Sequence, residues 1–223
     1  SMERMIAQVL EEFALDDSCN SVRRCGRNQT TLLSFYAPDR HRGQSVSALG
    51  AAQILADMGY QVLYINLLPF TGFEELLRTE YEADVTDFLY FILNHADKLL
   101  YKLDSLKRCV HGVDYLPPAL DYADLLAIGR SEWQSMMDLL LYSSDYTHIV
   151  MDLSEICQGF YDMLERSDHA YILTDKSAVY GSAMQSHFMS LLKVKDYGKI
   201  LEHMTVFDLP EGWEAQCCAL DNL

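Results

Sequence analysis

Residues 31–66, TLLSFYAPDRHRGQSVSALGAAQILADMGYQVLYIN, constrain the fold of this chain more than any other stretch. Residues 31–36 form a β-rich apolar run, and 38–43 supply turn residues. Residues 46–58 are apolar on most faces, as a helix lying against a parallel sheet would be. Gly59 follows, at the position where a left-handed helix C-cap costs least, and 61–66 is a second short apolar run. The order predicts strand, turn, long helix and strand, a βαβ unit. Its first turn lies where α/β folds bind anions.

That turn, APDRHRGQS, has the outline of a phosphate-binding loop with part of its chemistry replaced. Such a loop uses small residues that let backbone N–H groups approach a phosphate, a lysine after the last glycine, and a Ser or Thr hydroxyl for Mg²⁺. Gly43 and Ser45 fit this pattern, and Gln44 stands where the lysine belongs. The candidate ligand-binding residues are Arg40, Arg42, Gly43, Gln44, Ser45, Val46, Asn66 and Asp152. Ser45 and Asp152 are the candidate metal ligands, and no residue is assigned a catalytic role. Gly43 also serves as a simple turn residue, Ser45 as a helix N-terminal residue, and Asn66 and Asp152 as caps at strand ends.

Composition narrows the function classes. The chain has 223 residues, 50% of them hydrophobic, enough for one domain of the larger kind. A formal charge of −16 opposes attraction to nucleic acid or anionic lipid. No run of about twenty apolar residues occurs, and no signal-peptide pattern stands at the N-terminus, so a cytoplasmic location without membrane insertion is expected. The six cysteines lack zinc-type spacing, and reduced thiols are expected. No histidine pattern suggests a metal site, and no G-x-S-x-G or Cys/His nucleophile is present. Against the acidic background, Arg23, Arg24, Arg27, Arg40, His41 and Arg42 gather positive charge before and within the loop.

The rest of the chain alternates between strand and helix signals. Residues 1–30 read as a lead-in helix and linker, and 31–223 as the domain. T-G-F-E at 71–74 has capping-box spacing before a short helix, and 84–100 predicts one longer amphipathic helix. A short strand at 113–116 ends in Pro117-Pro118. Asp121 and Ser131 are expected to cap successive helices, S-E-W-Q at 131–134 having capping-box form. Further strands are predicted at 147–152, 169–174 and 204–209, with helices at 159–166 and 177–193. This alternation argues an α/β three-layer sandwich around a mainly parallel sheet.

The pieces together resemble the MinD/ParA group of P-loop ATPases, most closely their divergent pilus-assembly relatives of the TadZ/CpaE type. The resemblance covers about 31–210. It rests on 38–45 at the deviant Walker A loop, VLYIN ending at Asn66, YLPP, THIVMDLS at the Walker B strand, and SDHAYILTDKSAV after it. It implies a P-loop NTPase-like fold, a site for ATP or ADP with Mg²⁺, and an ATPase activity whose residues can be compared one by one. The family's signature lysine aligns with Asp39, its second lysine with Gln44, and the acid after its second strand with Asn66. Ser45 and Asp152 keep groups suited to Mg²⁺ and its water shell.

Phosphoryl transfer depends on neutralising transition-state charge, so losing two lysines and an acid predicts turnover near background. Three functional readings follow. The first is a non-hydrolysing scaffold that positions protein partners, by resemblance components of a pilus or secretion apparatus, with nucleotide held weakly or not at all. The second is a weak ATPase in which Arg40 or Arg42 replaces lysine. The third is an α/β protein-interaction domain without ligand. Since Asp39 would repel phosphate, any homodimer is expected to form independently of ATP. The helix N-terminus should keep weak anion affinity.

Overall fold

The computed structural model describes residues 30–39, 43–92, 98–175 and 179–209. The predicted lead-in helix, Arg40, His41, Arg42 and the acidic tail lie outside them. The strands are β1 (Thr31–Tyr36), β2 (Val62–Asn66), β3 (Arg108–Val110), β4 (Val113–Leu116), β5 (His148–Asp152), β6 (His169–Thr174) and β7 (Met204–Asp208). They form one sheet in the order β3-β4-β2-β5-β1-β6-β7, parallel throughout except for the β3–β4 pair. This is the α/β sandwich expected, with β1 interior.

Helix α1 (Gly43–Asp57) covers one face of the sheet, together with the short α2 (Phe73–Leu77). The other face packs against α3 (Val85–Ile92), α4 (Leu99–Leu106), α5 (Tyr122–Ala127), α6 (Arg130–Ser143), α7 (Phe160–Arg166), α8 (Val179–Val194) and α9 (Gly198–His203). Alternation along the strands assigns side chains to faces: Val62, Tyr64 and Val150 point toward α1, and Leu63, Ile65, Ile149 and Met151 point away. Because both faces are covered, β2 and β5 are buried at every position, which is why these strands read as continuous apolar runs.

Helix α1 ends as its sequence requires. Gly59 takes φ +88°, its N–H donates to the Ala56 carbonyl at 2.9 Å, and the Tyr60 N–H reaches back to Leu55 at 3.1 Å. These two bonds close a Schellman turn that only glycine enters without strain.

Several expectations need correction. The helix predicted at 84–100 is not continuous: Lys98 leaves helical geometry at φ −120° and ψ 14° and α4 starts after it at Leu99, while residues 93–97 lie outside the described residues. Apolar spacing continues across the break, so periodicity alone could not locate it. Ser131 is not an N-cap. Helix α6 starts at Arg130 with Gly129 as its cap, and the Ser131 hydroxyl bonds Glu132 at 2.7 Å. The capping box at 71–74 also fails to form, because Gly72 is the N-cap, at φ +65°. Asp121 does cap α5, accepting from the Ala123 N–H at 2.9 Å. Strand β3 and helix α9 had no prediction. The β3–β4 hairpin turns through His111 and Gly112, both at positive φ, the geometry of a tight two-residue hairpin.

Candidate functional site

Four side chains from α1 and β2 converge on the carboxylate of Asp152, the last residue of β5. Parallel pairing sets Asn66 opposite Asp152 on one side and Phe35 opposite it on the other. Tyr64 lies two residues before Asn66 and so shares its face of the sheet. The first turn of α1 then delivers Gln44 and Ser45 to the same point from above.

Gln44 is 2% exposed, and its carboxamide bridges the ends of β1 and β5. Its Oε1 accepts the Ala37 N–H at 2.7 Å. Its Nε2 donates to Asp152 Oδ1 at 2.5 Å and to the Leu153 carbonyl at 2.8 Å, with the Phe35 carbonyl a third acceptor at 3.3 Å. Asp152 Oδ2 receives the Ser45 hydroxyl at 2.6 Å, the Tyr64 hydroxyl at 3.0 Å and Asn66 Nδ2 at 3.0 Å. Asn66 Nδ2 also donates to the Tyr64 oxygen at 3.0 Å, while Asn66 Oδ1 accepts the Leu68 N–H at 2.9 Å. Asn66 thus combines the backbone role of a strand-end residue with a bond to the acid.

A carboxylate offers roughly four lone-pair positions. Asp152 meets four donors: Gln44 on one oxygen and Ser45, Tyr64 and Asn66 on the other. All four are neutral. Asp152 is fully buried, and burial pushes its pKa up to about 6, against the pull of hydrogen bonds from Ser45, Gln44 and Tyr64. Burial first, and the neighbouring Asp152 charge second, hold the Tyr64 hydroxyl well above its ordinary pKa, so it remains a donor.

Asp152 does not cap the segment behind it. The Leu153 N–H goes to the Phe35 carbonyl at 2.9 Å, and the carboxylate is directed into the network. Ser45 and Asp152, the two candidate metal ligands, are hydrogen-bonded to each other. In this arrangement the residues do not fit a Mg²⁺-nucleotide: Oδ2 of the acid is crowded by three protein donors, the Ser45 hydroxyl is turned onto it, and Gln44, which the resemblance aligns with a lysine, is a neutral amide engaged with protein groups. Among the described residues, no cluster of three His, Cys, Asp or Glu could hold a metal ion.

The other candidates are more dispersed. Gly43 is buried at the start of α1 and Val46 is partly buried within it; neither touches Asp152 through a hydrogen bond. Asp39, at the signature-lysine position, accepts the Asp175 N–H at 3.2 Å and ties the loop after β1 to the segment after β6. Gly181 on α8 leaves room for this approach, since a Cβ there would lie 2.2 Å from the Asp175 carbonyl and 3.1 Å from Asp39 Oδ2. The sequence did not single out Tyr64. Its period-two spacing from Asn66 is the signal that could have found it.

Neither a protein-family model nor a curated protein sequence matches the chain. Solved structures do. A ParA family ATPase from Chlorobium tepidum superposes with a TM-score of 0.63 at 17% identity, covering 80% of this chain and 73% of that one. MinD of Aquifex aeolicus gives 0.60 at 18% identity, covering 85% and 73%. The septum site-determining protein MinD of Pyrococcus horikoshii, solved with Mg-ADP, gives 0.55 at 16% identity, covering 79% and 68%. At such identities the likeness concerns the fold. The chain has the fold of the MinD/ParA P-loop ATPases, with Gln44 and Asp152 bonded to each other at the base of its first loop.

Proposed function

We propose that this protein is a non-hydrolysing MinD/ParA-fold scaffold that positions or assembles protein partners in the cytoplasm. The resemblance of its motifs to the TadZ/CpaE type suggests partners from a pilus or secretion apparatus. The observation that supports the reading is the Asp152 carboxylate bonded to four neutral protein donors, one of them Gln44, which the resemblance aligns with a phosphate-binding lysine. Removing one charge-stabilising group from a transition state commonly costs several kcal/mol, and here more than one is replaced. Any homodimer forms without regard to nucleotide, because Asp39 offers a carboxylate where the family's lysine would meet phosphate.

A phosphate-release assay with Mg-ATP tests the proposal. Turnover stays at background in the wild type, and also in Gln44→Lys, because Tyr64 and Asn66 still occupy Oδ2 of the acid. Robust turnover that disappears in Arg40→Ala/Arg42→Ala would overturn the scaffold in favour of an ATPase whose arginines replace lysine. A thermal shift supplies the binding arm, since a ligand at a hundred times its Kd adds about 2.7 kcal/mol of stability.

A further inference from the structure

The loops that follow β2, β4 and β5 lie side by side, because these strands are neighbours in the sheet. They carry large apolar side chains that no part of the described structure covers. Phe70 is 85% exposed and Leu120 is 81% exposed, with Tyr122 and Leu126 beside them about half as exposed. The Phe70 and Tyr122 rings approach to 5.9 Å between centroids, and Gln158 Nε2 donates to the Leu126 carbonyl at 3.2 Å, which joins the three loops into one surface.

The surface is held in place by backbone hydrogen bonds. The Leu120 N–H bonds Asp84 Oδ2 at 2.9 Å, the Pro117 carbonyl accepts the Val85 N–H at 2.8 Å, and Asp121 caps α5. Leu120 is therefore presented on fixed backbone, which lowers the ordering cost of an association.

Within the three stretches that build this surface the charge is of one sign, and Arg78 follows them at the C-cap of α2. Stretches 67–77, 117–127 and 153–158 contain Glu74, Glu75, Asp121, Asp124 and Glu155 and no Lys, Arg or His. Glu75, Asp121, Asp124 and Glu155 are exposed. A second copy docked by the same patch would bring like charges together, and anionic lipid or nucleic acid would be repelled. We propose that this patch docks a segment of a partner protein that presents apolar side chains between lysines or arginines. The apolar residues supply the buried anchors, and the basic flanks meet the carboxylates.

This inference names the partner chemistry of the scaffold proposed above and rests on that reading. The two fail separately: ATP turnover would overturn the scaffold, whereas the titration below bears on the patch alone. The probe is a synthetic amphipathic helix of leucine and lysine, with a leucine/glutamate helix as control, titrated into the protein and followed by amide NMR. Shifts should concentrate at residues 67–76 and 119–127 and weaken with salt. Phe70→Ser/Leu120→Ser should raise the Kd at least about tenfold, with the melting curve unchanged. Tyr101→Ser/Tyr142→Ser, which removes two equally exposed aromatics elsewhere, should leave the affinity as it was. Shifts scattered over the acidic surface, or equal losses in both double variants, would overturn the proposal in favour of bulk charge attraction. Self-association that light scattering finds in the wild type and not in Phe70→Ser/Leu120→Ser would overturn it in favour of a second copy.

Discussion

The base of the first loop and the rim of the same sheet edge use their residues in opposite ways. At the base, Gln44, Ser45, Tyr64, Asn66 and Asp152 turn every donor and acceptor inward, and each finds a protein partner. At the rim, a short distance along the strands, Phe70 and Leu120 stand in solvent. The proposed scaffold uses this contrast: a base whose polar groups are satisfied within the protein, and a rim whose apolar side chains are left for a partner.

Breaking the base gives the largest effect. Asp152→Ala takes the acceptor from the Ser45 and Tyr64 hydroxyls, while Gln44 Nε2 keeps the Phe35 and Leu153 carbonyls and Asn66 Nδ2 keeps the Tyr64 oxygen. Each orphaned group costs roughly 1–3 kcal/mol, partly offset by removing a buried charge, so a net loss of about 2 kcal/mol or more is expected in urea unfolding. A loss under about 1 kcal/mol would show that the network contributes little to the fold.

The next effect is pH dependence, with a sign opposite to ordinary acid denaturation. Asp152 has a folded pKa of about 6 against the ordinary aspartate value of 3.8, so the native state binds the proton more tightly than the unfolded chain. Its contribution to stability is fully present below about pH 4 and is lost as pH rises through 6, a swing of at most about 3 kcal/mol from two pKa units. Unfolding measured from pH 4 to 7 should show this component in the wild type and lose it in Asp152→Asn. A wild-type slope identical to that of Asp152→Asn would mean that the acid is not held in this environment.

Tyr64→Phe removes one of the three donors on Oδ2 and leaves Ser45 and Asn66 to share that oxygen. The cost should be about 1 kcal/mol, as for one buried hydrogen bond, and calorimetry can check it. The smallest effect belongs to the rim. Phe70→Ser should change stability by no more than about 0.5 kcal/mol, because an exposed side chain gives up little on substitution. A larger loss would place Phe70 in the core and remove it from the docking surface.

Most of the sheet was legible because covered parallel strands are short apolar runs between helical stretches; β1, β4 and β6 have the predicted bounds. The failures have local causes. Strand β3 is three residues long and mostly exposed, so it carries no apolar pattern, and only the His111-Gly112 turn betrays it. The S-E-W-Q motif offered a capping box, but Gly129, two residues earlier, is already the N-cap of α6. In the candidate site, Gln44 and Asn66 were visible as departures from the resembling motifs. That they bond to Asp152 was not, because the contact depends on the register of β2 against β5, which no single strand's sequence encodes. Tyr64 was hidden in the same way, as one aromatic among core aromatics.

The most direct test of the closed base is the Gln44 side-chain amide. With its two protons on Asp152 and Leu153, it should exchange slowly with solvent, and its NMR signals should stay in place when Mg-ATP is added. Rapid exchange, or a shift of those signals that saturates with Mg-ATP, would show that the base opens to nucleotide and would contradict the account.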